Sequence, residues 1–305
     1  TLGRTRDRCA RVRVIAGADP ASLALDDDLL IHGDSAQVLP HLPDGAFTLI
    51  AIDPPFNTGT RQELRSVRAV PDADATTTGF GGRTYRLQPV STHSYEDSFD
   101  DYLGFIRPYL TQARRLLNDR GTLYVHLDAR EAHYVKVALD EIFGRDCFLN
   151  EIIWAYDYGG KSKSRWPAKH DTILVYVKDR RRYHFDSDAV DREPYMAPGL
   201  VTPEKAARGK LPTDVWWHTI VPTNGRERTG YPTQKPEGIV RRMVAASSAP
   251  GDWCLDFFAG SGTLGAVAAT VNRRYVCIDR NPDAIAVASS RLAALEPPHR
   301  LVKES

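Results

Sequence analysis

The chain has 305 residues, a formal net charge of +1, 42% hydrophobic and 26% charged residues. This composition is ordinary for a soluble globular protein, and no apolar run approaches the roughly 18 residues that a membrane-crossing helix needs. Cys9, Cys147, Cys254 and Cys277 are widely spaced with no CxxC pair, so disulfide and zinc sites are not expected, no metal is assigned, and a reducing cytoplasm fits.

Residues 1–28 read as a poorly ordered lead-in, Arg-rich but without the apolar core of a signal peptide. Residues 29–32 predict a short strand ending at Gly33-Asp34, 35–42 a brief helix that Asp34 is placed to cap, and 47–52 a buried strand. That strand stops at Asp53-Pro54-Pro55-Phe56, because neither proline can donate to a sheet ladder. Residues 57–95 are rich in Gly, Thr, Asp and Arg and show no periodicity, which predicts a long mobile loop, a lid or a segment ordered by a partner. Tyr102, Phe105, Ile106, Tyr109, Leu110, Ala113 and Leu117 recur at helical spacing over 101–117. A strand over 121–128 follows, then a helix over 131–143 with Val135, Val137, Leu139, Ile142 and Phe143 mostly inward. Strands over 151–156 and 171–177 bracket a basic segment at 159–170. In 179–222 Pro, Asp and Arg rise and periodicity fades, which reads as an inserted module. Regular alternation returns after Tyr231-Pro232-Thr233-Gln234-Lys235-Pro236: a helix over 237–247, a strand over 253–257, a tight Gly260-Ser261-Gly262 loop, an Ala-rich helix over 263–271, a strand over 274–278 ending at Asp279, and a helix over 282–295. Alternating strands and helices predict a mostly parallel α/β sheet.

Two constellations carry chemistry. At the carboxyl end of the 47–52 strand, an acid, two proline carbonyls and an aromatic ring suit stacking a flat base on Phe56 and holding its amino group with Asp53 and a carbonyl; a plain strand-ending turn is the alternative. The second constellation is the strand ending at Asp256, then Phe258, Ala259, Gly260, Ser261, Gly262 and Thr263 leading into a helix, with Asp279 one strand later. The glycines let backbone approach a ligand at a helix N-terminus, and Asp279 is placed to accept ribose hydroxyls. The Gly-Lys-Ser/Thr of a triphosphate loop and a full GxGxxG are both missing. Asp256 would repel a pyrophosphate but suits an ammonium, so a nucleoside-like cation such as S-adenosyl-L-methionine fits.

Charge is concentrated locally. Lys161, Lys163, Arg165, Lys169, Lys178, Arg180, Arg181 and Arg182 crowd one stretch, and Arg226, Arg228, Lys235, Arg241 and Arg242 another. Each is either a solvated face or a phosphate-tracking groove. His126 and Asp128 read as a buried or turn-capping pair rather than a metal site. His170-Asp171 suits a strand start or a phosphate contact, Trp216-Trp217 packing rather than a wedge, and Cys254 and Cys277 core positions.

Asp53-Pro54-Pro55-Phe56, Asp256-Phe257-Phe258-Ala259-Gly260-Ser261-Gly262-Thr263, Thr233-Gln234-Lys235-Pro236-Glu237 and Gly33-Asp34 together resemble the motifs of the bacterial DNA amino-methyltransferases, from about Leu29 to Leu292. The catalytic motif precedes the cofactor loop, the permuted order called the beta class; Phe257 stands where the family usually has Pro. The resemblance implies a Rossmann-like methyltransferase sheet with helices on both faces. It divides the chain into a catalytic half (29–178), a target-recognition region (179–222) and a cofactor half (223–305). It implies catalytic roles for Asp53, Pro54, Pro55 and Phe56, and S-adenosyl-L-methionine bound by Asp34, Lys235 at the cofactor's entrance, Asp256, the 258–263 loop and Asp279. Double-stranded DNA would be the partner, held by Lys161, Lys163, Arg165, Lys169, Arg180, Arg181 and Arg182, with the target base flipped out. An Asp at the first motif position is commoner with adenine N6 and a Ser with cytosine N4, so Asp53 leans to adenine; cytosine N4 is the alternative, and RNA methylation or a non-catalytic nucleic-acid-binding role are further ones. A homodimer, a cognate restriction endonuclease and a nucleoid-associated location are compatible with the family.

Overall fold

The structure, a computed structural model, describes residues 11–17, 23–59, 62–71, 77–78, 84–95, 97–222, 225–295 and 300–303. The first part of the chain forms β1 (Arg11–Ala16), β2 (Asp28–His32), α1 (Ser35–Val38) and β3 (Phe47–Ile52). An antiparallel ribbon of β4 (Gln62–Pro71), β5 (Thr77–Thr78) and β6 (Thr84–Tyr95) follows. Next come α2 (Tyr102–Leu116), β7 (Leu117–Leu127), α3 (Ala132–Phe143), β8 (Phe148–Ala155), β9 (His170–Val177), α4 (Pro203–Arg208) and β10 (Val215–Trp217). The last part forms α5 (Glu237–Ser247), β11 (Trp253–Asp256), α6 (Thr263–Thr270), β12 (Arg274–Asp279), α7 (Pro282–Ala293) and β13 (Arg300–Lys303).

Ten strands make one sheet in the order β10-β8-β9-β7-β3-β11-β12-β2-β1-β13. Every described neighbour pair is parallel except β9, which runs antiparallel to β7 and β8. The carboxyl ends of β3, β7, β8, β10, β11 and β12 therefore share one edge, where open α/β sheets bind ligands. β9 starts at that edge with His170 and leaves it behind at Val177. The β3–β11 pairing (Cys254 with Leu49, Leu255 with Ile50) joins segments some two hundred residues apart and sets the two halves of the site side by side.

Burial explains why β3 is apolar at nearly every position. Ile50 and Ile52 pack under α2 and α3 with Ile106, Leu110, Val135 and Leu139, whereas Leu49 and Ala51 face α5 and α6 with Met243, Val244, Leu264 and Val267. A strand covered on both faces has no wet side to alternate toward. Among the described residues no helix is long and apolar enough to cross a membrane.

Several elements differ from the expectation. The lead-in contains β1, whose Arg11-Val12-Arg13-Val14 alternation has the period of a strand, and which pairs with β2 (Val14 with Leu30); residues 1–10 lie outside the described residues. The segment expected as a long loop contains β4 and β6, paired from Gln62–Tyr95 to Pro71–Tyr85. Backbone pairing needs no apolar period, and the β-branched and aromatic residues of 84–95 favour extended chain. The 179–222 region donates β10 to the sheet edge beside β8, while Arg242 of α5 clamps it through Asp191 (2.9 Å) and Glu193 (2.9 Å). Trp216 is buried against that clamp and Trp217 is exposed, so only one of the pair packs. Val137 on α3 is exposed rather than inward.

Candidate active site

Asp53 is the first residue past β3, and Pro54-Pro55 carries the chain out of the sheet at its ligand-binding edge. The β3–β7 register pairs Ile52 with Val125, so the next residues, Asp53 and His126, emerge together. His126 Nδ1 lies 2.7 Å from Asp53 Oδ1, and Lys235 Nζ donates to Asp53 Oδ2. On the far side of the ring, His126 Nε2 is 3.3 Å from Oδ2 of Asp171 on β9, whose Oδ1 accepts from the Tyr156 hydroxyl at 3.1 Å. Two basic side chains thus meet on the Asp53 carboxylate, and a second carboxylate, Asp171, backs the imidazole. His126 and Asp171 are candidate site residues that the sequence does not single out: it reads the first as part of a buried or turn-capping pair and the second as a strand start or phosphate contact.

The Phe56 ring meets His126 edge-on at 5.1 Å between centroids, and Lys235 Nζ stands 5.2 Å from the Phe56 centroid. The ammonium therefore stands above the Phe56 ring and against Asp53 at once. The turn is locked from behind. Tyr102 donates to the Pro55 carbonyl at 2.7 Å. Buried Asp97 accepts from the Asn57 amide (2.7 Å) and the Thr58 hydroxyl (2.6 Å), holding Asn57 at φ +56°. Burial pushes the Asp53 carboxyl up, but the Lys235 ammonium and His126 outweigh it and hold it below the usual carboxylate range. Burial likewise pushes His126 down, but Asp53 and Asp171 outweigh both that and Lys235, so its imidazole is more basic than usual.

The glycine loop opens beside this turn. Asp256 ends β11, is almost fully buried, and accepts from the Phe258 amide at 3.0 Å; burial pushes its carboxyl up to about 8. Gly260 holds φ +49°, and a Cβ there would come within 3.1 Å of the Tyr231 ring, so the backbone forms the cavity wall. Asp279, at the end of β12, accepts from the Gly260 amide (2.8 Å) and the Asn281 amide (2.8 Å), one on each oxygen; each oxygen keeps a further lone pair. Asp34 caps α1 through the Ala36 amide at 2.9 Å and also lines the cavity. Phe258, Ala259, Ser261 and Thr263 line it too. Gly262 does not: it packs against α7, where a Cβ would meet Ala288 at 2.8 Å, so its role is to let two helices approach. Lys235 lines the cavity as the ion-pair partner of Asp53, and its carbonyl accepts from the Thr263 hydroxyl of the glycine loop at 3.4 Å, so it spans the two constellations. Cys254 and Cys277 are fully buried in strands, and burial pushes the Cys254 thiol up to about 12, so neither is a nucleophile.

The basic residues separate. Lys161, Lys163, Arg165 and Lys169 lie in the loop between β8 and β9, at the same edge of the sheet as the cavity. Arg180, Arg181 and Arg182 follow β9 and stand at the opposite edge, roughly 23 Å away for an eight-residue strand. There His184 bonds back to Arg120 at the start of β7, and Arg182 pairs with Asp119 at 2.8 Å and Asp179 at 2.8 Å. The structure does not bring them to the site.

The Pro-Pro turn and the glycine loop, delivered by adjacent strands β3 and β11 into one cavity at the carboxyl edge of a mostly parallel sheet, match a methyltransferase of the Rossmann-like class. The family is narrower: the chain belongs to the DNA methylase family of N6- and N4-amino-methyltransferases, whose sequence profile matches residues 47–290. The DNA adenine methyltransferase YhdJ of Escherichia coli (strain K12) is 28% identical over 284 residues, 90% of this chain and 86% of its own. The type II methyltransferase M.HpaI of Haemophilus parainfluenzae is 31% identical over 267 residues, 87% of this chain and 74% of its own. Among solved structures, the cytosine-N4-specific PvuII DNA methyltransferase superposes with TM-score 0.59 at 15% identity, covering 86% of this chain and 84% of that one. M1.HpyAVI in complex with SAM gives 0.54 at 17%, covering 92% and 98%.

Proposed function

We propose that this enzyme methylates the N6 amino group of adenine, flipped out of a specific sequence in duplex DNA, with S-adenosyl-L-methionine as donor. The observation that carries the reading is the shared cavity. Asp53 and Phe56 line the same open cavity as Asp256, Gly260 and Asp279. A donor on the glycine loop and a base on Phe56 would therefore share one space at the carboxyl edge of the sheet. The preference for adenine rests on Asp53 as the first residue of the motif. Methylating unmodified genomic DNA in vitro and analysing its nucleosides by mass spectrometry tests it: N6-methyladenine is expected, and N4-methylcytosine would move the assignment to cytosine.

The residues fit the donor. Asp256 matches its ammonium, Gly260 its close approach and Asp279 its ribose hydroxyls. When bound, S-adenosyl-L-methionine supplies an electrophilic methyl group. The target base would slide over Phe56, displace the Lys235 ammonium and donate its amino hydrogens to Asp53 Oδ2 and the Pro54 carbonyl. Positioning the amino lone pair supplies much of the acceleration. As the nitrogen gains its methyl it must lose one proton. Asp53 takes that proton and passes it to His126, which Asp171 orients and whose charged form the two acids stabilise. His126 is thus a positioning residue that acts through Asp53. The 179–222 region, clamped beside β8 by Arg242, is proposed to read the target sequence.

Two outcomes follow within this reading. A carboxyl with a pKa of about 8 is mostly protonated at neutral pH, whereas an ammonium ligand favours its ionised form. Binding the donor should therefore release a proton, and affinity should fall by up to about tenfold per pH unit below 8. Calorimetry in buffers of different ionisation enthalpy reads this directly, and Asp256→Asn should abolish the proton release. Reversing Lys161, Lys163 and Arg165 to Glu should weaken DNA binding and flatten its salt dependence. The same reversal at Arg180, Arg181 and Arg182 should leave both unchanged, which anisotropy titrations at several salt concentrations would check.

A further inference from the structure

The loop between β8 and β9 is a braced structure. The Tyr156 amide donates to the Lys169 carbonyl at 2.9 Å, closing its base. Lys169 Nζ donates to the carbonyls of Asp157 (2.8 Å) and Gly159 (3.3 Å). Ser162 Oγ accepts from the amides of Ser164 (3.2 Å) and Arg165 (3.2 Å), folding a turn just before the tip. What the braces hold out is Arg165-Trp166-Pro167. Trp166 is 95% exposed, and the proline after it restricts its backbone to extended conformations. Two more exposed aromatics share this edge of the sheet: Tyr158 at 69% on the same loop, and Trp217 at 68% at the end of β10, paired beside Ala155.

A single exposed apolar side chain needs no explanation. An indole held almost fully in water by a braced loop at the ligand-binding edge of the sheet, with Lys161, Lys163 and Arg165 before it, Lys169 after it and no acid from Tyr158 to His170, is a different case. The cations match a phosphate backbone, and flat aromatic faces match bases. The chain belongs to a DNA methylase family, and a duplex supplies both the phosphate array that the cations fit and the bases that the indole fits. A base taken from the stack leaves a gap that an aromatic wedge can fill, recovering part of the unstacking cost.

We propose that Trp166 is the wedge that enters the DNA stack at the position the target base leaves. The proposal rests on the DNA methylation reading and adds the residue that opens the duplex. The test is fluorescence anisotropy with the full chain and two mixed-sequence duplexes, one intact and one with a single central abasic site. The wild-type enzyme should bind the abasic duplex about tenfold more tightly, the equivalent of one stacking contact. Trp166→Ala should lose that preference while keeping affinity and salt slope on the intact duplex; Trp166→Phe should retain most of it. An abasic preference that survives Trp166→Ala would overturn the proposal, as would equal losses on both duplexes, which would make Trp166 a backbone contact. Wild-type protein that binds neither duplex and transfers no tritiated methyl to genomic DNA would sink the underlying reading instead.

Discussion

Asp53→Asn is expected to lower methyl transfer to DNA by about 10³-fold, within the range lost when a positioned proton-transfer group is removed. Asparagine keeps the shape and one acceptor oxygen but cannot take the amino proton, and it gives up the charge that holds Lys235 and His126. Donor affinity by calorimetry should stay within about twofold, because Asp256, Gly260 and Asp279 lie on other strands. The sign of the electrostatics makes a second check. The Asp53 pKa is depressed below its unfolded value of 3.8. Its pairing therefore stabilises the fold above that pH and is lost only as pH falls through the lower folded pKa. The wild type should thus keep Asp53 ionised throughout any working range. Undiminished transfer by Asp53→Asn would remove the acid from the mechanism.

His126→Asn should cost about 10²-fold in kcat with little change in the KM for the donor. The pH profile separates a proton-accepting role from a structural one. His126 is raised above its ordinary 6.5 by Asp53 and Asp171 against burial and Lys235. Only its neutral form can accept a proton from Asp53. The kcat of the wild type should therefore rise with pH through that elevated pKa, and the limb should vanish in His126→Asn. Asp171→Asn removes one of the two acids that raise the pKa, so the limb should move to lower pH. The stability linkage has the opposite sense to that of Asp53: the charged imidazole stabilises the fold below 6.5, and that stabilisation fades as pH rises through the folded pKa. A profile unchanged in all three proteins would make His126 packing only.

What was legible in the sequence was written in backbone constraints. Pro54-Pro55 can only end a strand, and Gly260 is needed where backbone must lie against a ring; both sit where the motif reading placed them. The strands and helices from Glu237 to Ala293 also match, because apolar period and punctuation agree there, whereas β13 was not expected. Properties that depend on sheet register were not legible. Asp53 meets His126 because β3 and β7 pair Ile52 with Val125, and Asp171 joins them because β9 runs the other way. Nothing in one dimension distinguishes that from two core strands. The same reversal splits the basic run: β9 passes through the middle of it, leaving Lys161, Lys163 and Arg165 at the same edge of the sheet as the cavity and Arg180–Arg182 at the far edge. Strand β1 does carry a strand period in Arg11-Val12-Arg13-Val14, and β6 carries β-branched and aromatic residues, but the polar and charged residues of β4 and β6 give no apolar period to mark a pairing made by backbone bonds. Gly262 shows the converse error, a motif glycine whose missing side chain makes room for Ala288 rather than for a ligand.

Asp53 and Phe56, which line one cavity with Asp256, Gly260 and Asp279, are proposed to present an adenine amino group to the donor. Expressing the chain in a host that lacks DNA modification and mapping its genome by single-molecule sequencing tests this most directly. The expected result is N6-methyladenine at one position of a single recurring sequence, absent from cells that express Asp53→Asn. A genome that carries no added methyl groups, or carries the same ones with Asp53→Asn, would contradict it.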